Sequence, residues 1–352
     1  MNRLIPPPEA IPVAWAWLKS LLMVIFPLHL LFMNAMLGPT FIALYAGLRK
    51  DGVSQQLSRR LAGIIPYLVA FAVNLGVASL LFIQVLYGQF FYTSSILMAA
   101  FWLAVIPLLM TAYYLLYLYD FRFDSLGGFR TIAVAVAALI LPAIAFIYSN
   151  NMTLMLSPQR WGAYFTNPSG TILNLGDPVL WPRYLHFMIG GSAVGALFVA
   201  LYGKYLGRRE PETGGLAVNL GMRAFALLTM IQVVDGLWFL QSISPSVRKD
   251  FMGGDPAATI LFFTAVMLVL AVIMATAMKS AYATAMLAVP LVYVMAFLRD
   301  HLRSAYLRPY FSPDMTAVLP QYSPMIMFFC MLVLGLSVAA WMLFKGAKCR
   351  GK

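Results

Sequence analysis

Apolar residues fill nine long stretches of the chain, and shorter polar segments separate them. The stretches lie at roughly 15–47, 61–87, 94–119, 131–149, 184–203, 217–241, 257–278, 280–298 and 323–344. Each is near the ~20 residues that a helix needs to cross the hydrocarbon core of a bilayer. The pattern therefore predicts an all-α, polytopic membrane helix bundle with about nine transmembrane helices, whose least distinct boundary is at Lys279.

Composition agrees with this class of protein. The 352 residues are 62% hydrophobic and 10% charged, whereas soluble domains are about 45–50% apolar and about 25% charged. The net charge of +12 would suit a nucleic-acid partner, but most basic residues fall in alternate loops, as the positive-inside bias requires. We therefore predict one integral domain over residues 1–352, in a bacterial or archaeal cytoplasmic (inner) membrane. Its N-terminus lies outside and its C-terminus in the cytoplasm, with lipid and no nucleic acid as its surroundings.

Two histidines, His29 and His186, lie inside apolar stretches. A histidine in a membrane span is costly and is a functional candidate by default. Helical spacing places Met33 and Met36 on the same face as His29. With few other ionisable side chains in the spans, these histidines favour a haem-carrying electron carrier over an ion pump.

Small residues follow His186, with Gly190 one turn later and Gly191 beside it. A flat macrocycle needs a ligating imidazole and a neighbouring face without bulky side chains, and this pattern provides both. The alternative is a histidine that hydrogen-bonds between helices over a small-residue packing face. The pattern does not separate the two interpretations.

Four polar residues complete the candidate chemistry. Asp235 is the only carboxylate expected deep in a span, where it accepts a quinol proton or, as the favoured interpretation, pairs with a loop arginine. Arg299 and Arg303 lie in a predicted outer loop, four residues apart, and suit haem propionates or a quinone headgroup. His301, between them, is expected to be an ordinary solvated histidine. The outer loops are either docking sites for an extracytoplasmic partner or interfacial aromatic belts.

Motifs for other chemistry are missing from the sequence. It contains no phosphate-binding loop, no HExxH and no nucleophile elbow. No CxxCH is present, so covalent c-type haem is not expected. The spans also lack the paired acids and the inverted repeat that are typical of transporters.

Several segments, in order along the chain, resemble subunit I of the cytochrome bd quinol oxidases. They are HLLFMNAMLGPTFIAL, VNLGVASLLFIQVLYGQFF, SNNMTLMLSP and DPVLWPRYLHFMIGGSAVGALFVALYG followed by a basic turn and RAFAL. The resemblance marks residues 15–241 as a bd-like haem-binding part and residues 242–352 as divergent C-terminal helices. It implies that His186 binds a low-spin haem b with Met267 as the opposite axial ligand, and that His29 binds a second haem.

The chain also departs from that family at the positions that serve oxygen reduction. Gln84 stands where the family has a glutamate, and residues 93–119 contain no acid where the family's third helix carries glutamates. The GRQPW motif is replaced by FLRDHLRSAYLRPYF, and the outer quinol-binding loop is short. Because oxygen reduction needs protons at a buried site, the resemblance implies a haem-binding frame without that chemistry.

We therefore expect a membrane b-type cytochrome that carries one or two haem b groups, with quinone as a further ligand candidate. Its expected role is to pass electrons between the quinone pool and an extracytoplasmic partner, such as a c-type cytochrome or another respiratory subunit. One alternative is a divergent bd-type quinol oxidase that still reduces oxygen. Another is a haem-free scaffold or transporter subunit.

Overall fold

The computed structural model describes residues 4–350, with side chains for residues 4–346. The α-helices in this part of the chain are α1 (Trp15–Leu48), α2 (Gly52–Ala62), α3 (Ile65–Leu86), α4 (Gly88–Leu97), α5 (Ala99–Phe121), α6 (Phe129–Met155), α7 (Leu180–Leu206), α8 (Pro211–Ser242), α9 (Pro245–Lys249), α10 (Pro256–Ala277), α11 (Ala281–Leu307) and α12 (Tyr322–Arg350). With α2 and α3 joined as one span, nine of these segments are long and apolar enough to cross a membrane. The predicted all-α class and the nine spans are confirmed.

The outer surface of the bundle is apolar. Large side chains such as Leu103, Leu139 and Met278 are more than half exposed, which suits contact with lipid rather than water. None of the residues in the apolar span of α12 is buried against the rest of the protein. These surfaces and the nine helices make the chain an integral membrane protein.

Helix α1 is the centre of the packing, where it contacts α3, α6, α7 and α11. It approaches α7 most closely where Gly38 meets Gly195. A Cβ atom at Gly195 would lie 2.2 Å from the carbonyl oxygen of Asn34 and 2.6 Å from the Cα of Gly38. Only glycine allows the two backbones to come this close, as at other small-residue contacts between membrane helices.

The boundary at Lys279 separates α10 from α11. Lys279 has φ of 56°, a left-handed conformation that a helix interior does not accept. Ser280 then begins α11, because its Oγ accepts a hydrogen bond from the backbone N–H of Ala283. The break between the seventh and eighth predicted spans at Lys279 is therefore present in the structure.

Helix α11 is longer than the sequence predicts, since it continues to Leu307 rather than ending near residue 298. Arg299 and Arg303 therefore lie on a membrane helix and not in an outer loop. The apolar pattern misses this last part because it contains charged residues, of which Asp300 and Arg303 are buried inside the protein.

Asp300 forms two ion pairs in this last part of α11. Its carboxylate lies 3.0 Å from the Nζ of Lys19 on α1 and also pairs with Arg303. Asp300 is only 7% exposed. The expectation that Asp235 would be the only buried carboxylate is therefore wrong.

Candidate functional site

His29 faces α3, which holds its imidazole in one orientation. Nδ1 lies 2.8 Å from the carbonyl oxygen of Ala72. Because a carbonyl only accepts, Nδ1 carries the proton and Nε2 keeps its lone pair. One turn further along α3, a Cβ at Gly76 would lie 2.8 Å from the Cε1 of His29. The ring therefore fits only against glycine, with Nε2 as its available ligand atom.

A cavity of about 250 Å³ lies beside His29, between α1, α3, α5, α6, α7 and α11. Its wall is mostly apolar, and Met33 and Met36 line it on the same face as His29, which confirms the spacing read from the sequence. Its charged side chains are Arg183 of α7 and Arg299 of α11. An apolar wall with a few convergent polar groups is typical of a ligand site.

Neither arginine in this cavity forms a direct ion pair with a described carboxylate, since Asp300 pairs instead with Lys19 and Arg303. Arg183 is 3% exposed, and its Nη1 has no hydrogen-bond partner there. The guanidinium of Arg299 lies 4.3 Å from the centre of the Phe26 ring, and its Nε is also without a partner. Buried charge is costly unless it is paired. The cavity therefore suits an anionic ligand.

Arg303 has a different role from its neighbour Arg299. Both arginines line one small gap with Arg183, which confirms that they share a helix face. The charge of Arg303, however, is already paired with Asp300, and its guanidinium stacks on Tyr87 at 4.6 Å. Of the two arginines predicted as ligand contacts, Arg299 is the one that lines the His29 cavity.

The apolar pattern does not identify Arg183 as a site residue, because the fifth predicted span begins just after it. Helix α7 in fact begins at Leu180 and carries Arg183 into the interior. Its place directly beside an apolar stretch was a usable signal, since a charged side chain inside a membrane helix is a functional candidate by default. The sequence contains no comparable signal for Gly76, because its contact with His29 arises only from the packing of α1 on α3.

His186 lies on α7 and faces α8. Its Nδ1 is 3.0 Å from the Oδ2 of Asp235, and its ring lies 5.6 Å from that of Phe239. Asp235 is 6% exposed. The favoured interpretation of Asp235 as the partner of a loop arginine is therefore wrong, because its partner is His186. As at His29, the hydrogen bond at Nδ1 leaves Nε2 as the ligand atom.

The glycines after His186 contact neighbouring helices. A Cβ at Gly190 would lie 3.1 Å from the Nε2 of Gln232, and one at Gly191 would lie 2.9 Å from the Oδ1 of Asn34. These contacts match the helix-packing alternative. A contact between these glycines and a cofactor stays a prediction.

Met267 lies on α10 with 65% of its surface exposed. The contacts found among the described residues do not bring it to His186. The axial ligation predicted for Met267 therefore stays a prediction, and its exposure does not favour it.

Helix α7 connects the two histidine regions. Arg183 and Phe187, four residues apart, line the cavity at His29. His186 lies between them in sequence and points to α8. Helix α7 thus contributes Arg183 to the cavity beside His29 and also carries His186, which faces α8.

Comparison with known proteins supports the architecture. No family model and no curated protein matches the chain. Among solved structures, the bd oxidase from Geobacillus thermodenitrificans is similar, with a TM-score of 0.72 over 94% of this chain and 96% of that one. The chain has a bd oxidase-like fold.

At 14% identity, this similarity concerns the fold alone. It confirms the bd-like architecture that the sequence segments indicate. It also extends the likeness beyond the first 240 or so residues, into C-terminal helices whose sequence resembles the bd family poorly.

Proposed function

We propose that the chain is a membrane b-type cytochrome and that His29 holds a haem b in the cavity beside it. The observation that carries this proposal is the meeting of an available Nε2 with two unpaired arginines in an apolar cavity. Histidine is a common axial ligand of haem iron. The two carboxylates of a haem b match Arg183 and Arg299, since arginine pairs well with carboxylates.

Haem b would supply the one-electron chemistry that side chains do not provide. The residues of the chain bind and orient it. The carbonyl of Ala72 and the absent side chain of Gly76 fix the His29 ring. The apolar wall excludes water, and the arginines neutralise the carboxylates. Burial and nearby charge are among the means by which a protein sets a haem potential.

His186 is the proposed ligand of a second haem b, as the resemblance implies. Its support is the hydrogen bond from Nδ1 to Asp235, since histidines that bind metals commonly donate their second N–H to a carboxylate or carbonyl. The resemblance alone implies Met267 as a second ligand, and its 65% exposure does not support this role, so the proposal leaves that ligand unassigned. Gly190 and Gly191 remain proposed contacts. Arg303 is proposed to support the carboxylate site through its ion pair with Asp300.

The proposed role is electron transfer between the quinone pool and an extracytoplasmic partner such as a c-type cytochrome. The fold similarity to a bd oxidase supports a place in a respiratory chain. Among the described residues, those that line the cavity at His29 include serines and a tyrosine but no carboxylate. A wall of this kind favours electron transfer over the oxygen reduction of the alternative proposal, which needs delivered protons.

The first test is a reduced-minus-oxidised spectrum of the protein purified intact from its native membrane, with and without carbon monoxide. We expect a b-type band that carbon monoxide hardly changes. A strong response to carbon monoxide, or a red-shifted d-type band, would favour the oxygen-reducing alternative. Protein without pigment would contradict both and leave a scaffold or transporter subunit.

Two variants assign the bands. His29→Ala and His186→Ala should each remove one haem signal while the protein remains inserted. His301→Ala is the matched control, since this histidine contacts Phe251 and Asp250 rather than either region.

A further inference from the structure

The two proposed ligands differ in what their Nδ1 atoms contact. Nδ1 of His29 donates to a backbone carbonyl, that of Ala72, which is neutral. Nδ1 of His186 donates to the side-chain carboxyl group of Asp235 at 3.0 Å. Both bonds leave Nε2 as the ligand atom, but only the second places an acidic group directly on the imidazole.

We infer that Asp235 is a positioning residue, which holds the His186 ring through Nδ1 and lowers the midpoint potential of a haem bound at Nε2. This inference rests on the proposed function, because it needs haem at His186. A hydrogen bond from the ligating imidazole to a carboxylate increases the basicity of the ligand. A more basic ligand stabilises ferric over ferrous iron, so the potential falls.

The contacts of Asp235 show that its carboxyl group acts mainly on the imidazole of His186. Asp235 is 6% exposed, and its Oδ1 has no hydrogen-bond partner among the described side chains. Its side-chain contact is the hydrogen bond with Nδ1 of His186. Since no lysine or arginine of residues 4–346 pairs with it, the carboxyl group has the imidazole as its main donor.

Gln232 provides a control on the same helix. It lies one turn before Asp235 on α8, and its Nε2 donates to the backbone carbonyl of His186 at 3.0 Å. It therefore holds the same residue without touching the Nδ1 atom. A purely structural link between α7 and α8 would respond to Gln232 and Asp235 alike.

The experiment is an equilibrium redox titration of the purified full-length protein, followed at the haem bands. Asp235→Asn keeps size and hydrogen bonding but removes the acid. We expect it to retain haem and to raise the reduced-to-oxidised ratio of the His186 signal about tenfold at fixed potential, or about 59 mV for one electron. Asp235→Glu should restore part of the difference. Gln232→Met and the His29 signal should stay unchanged.

An unchanged potential in Asp235→Asn, where His186→Ala removes the signal, would overturn the inference and leave the proposed function intact. An equal shift in Gln232→Met would also overturn it. If Asp235→Asn does not accumulate, Asp235→Ser must show the same rise. Retention of both haem signals in His186→Ala would instead contradict the haem assignment itself.

Discussion

The regions around His29 and His186 each hold an imidazole ring in one orientation, but they use different hydrogen-bond partners. Each histidine lies on a spanning helix and has its Nδ1 bound by a neighbouring helix. At His29 the partner is a backbone carbonyl, and a cavity with two unpaired arginines lies alongside. At His186 the partner is a buried carboxyl group. The main feature of the His29 region is therefore a cavity with two positive charges, whereas that of the His186 region is a direct hydrogen bond to a carboxyl group.

The largest effect should come from His29→Ala, which breaks the first region at its centre. We expect complete loss of one haem signal while the signal assigned to His186 stays, because the two rings have separate partners. Difference spectra of the two single variants and of the double variant measure this. Loss of both signals in His29→Ala would mean that the regions are not independent.

Removing the charge of the first region should have the next largest effect. Arg183→Leu deletes a charge-assisted contact worth ~1.5–3 kcal/mol, so haem should dissociate about tenfold to a hundredfold faster. Haem transfer to an excess of apomyoglobin measures the rate. Arg308→Leu is the control, since this exposed side chain lies just after the C-terminal end of α11 and pairs with Asp250, away from the cavity.

Arg183→Leu also tests whether the faster haem dissociation comes from the loss of a buried positive charge. A buried and unpaired cation destabilises the protein that lacks its anion. Haem-depleted Arg183→Leu should therefore unfold at a higher temperature than haem-depleted wild type, with the order reversed when haem is bound. The same order in both states would contradict an anion site at Arg183.

Gly76→Ala should have a moderate effect that is confined to the first region. Its methyl group would meet the His29 ring, and overpacking of this kind costs about 1–3 kcal/mol. We expect lower haem content or a shifted band at His29, with the His186 signal unchanged. Gly335→Ala, where no atom lies within 4 Å of the added Cβ, is the matched control. Equal spectra for both variants would count against the proposed role of Gly76.

Met267→Leu should have the smallest effect, because 65% of this residue is exposed. We expect little change in the low-spin signal, as recorded by low-temperature absorption and electron paramagnetic resonance. Loss of that signal would show instead that Met267 is the axial ligand of the second region.

Local patterns in the sequence were enough for much of the architecture. Nine apolar stretches predicted nine spans because the bilayer demands length and hydropathy, which are properties of each segment alone. Helical spacing correctly placed Met33 and Met36 beside His29. The segments that resemble the bd family also indicated the fold that comparison of structures confirms.

The contacts between groups on different helices follow from the packing of the folded chain. Ala72 is 43 residues from His29, and Asp235 is 49 residues from His186. Helical periodicity relates residues one or two turns apart, so it does not contain these pairs. For the same reason, the sequence placed Arg299 in a loop and overlooked Asp300, whose burial depends on Lys19 from another helix. Local sequence patterns are therefore enough to predict the helices and the available chemistry, whereas the packing of the helices sets the partner of each side chain.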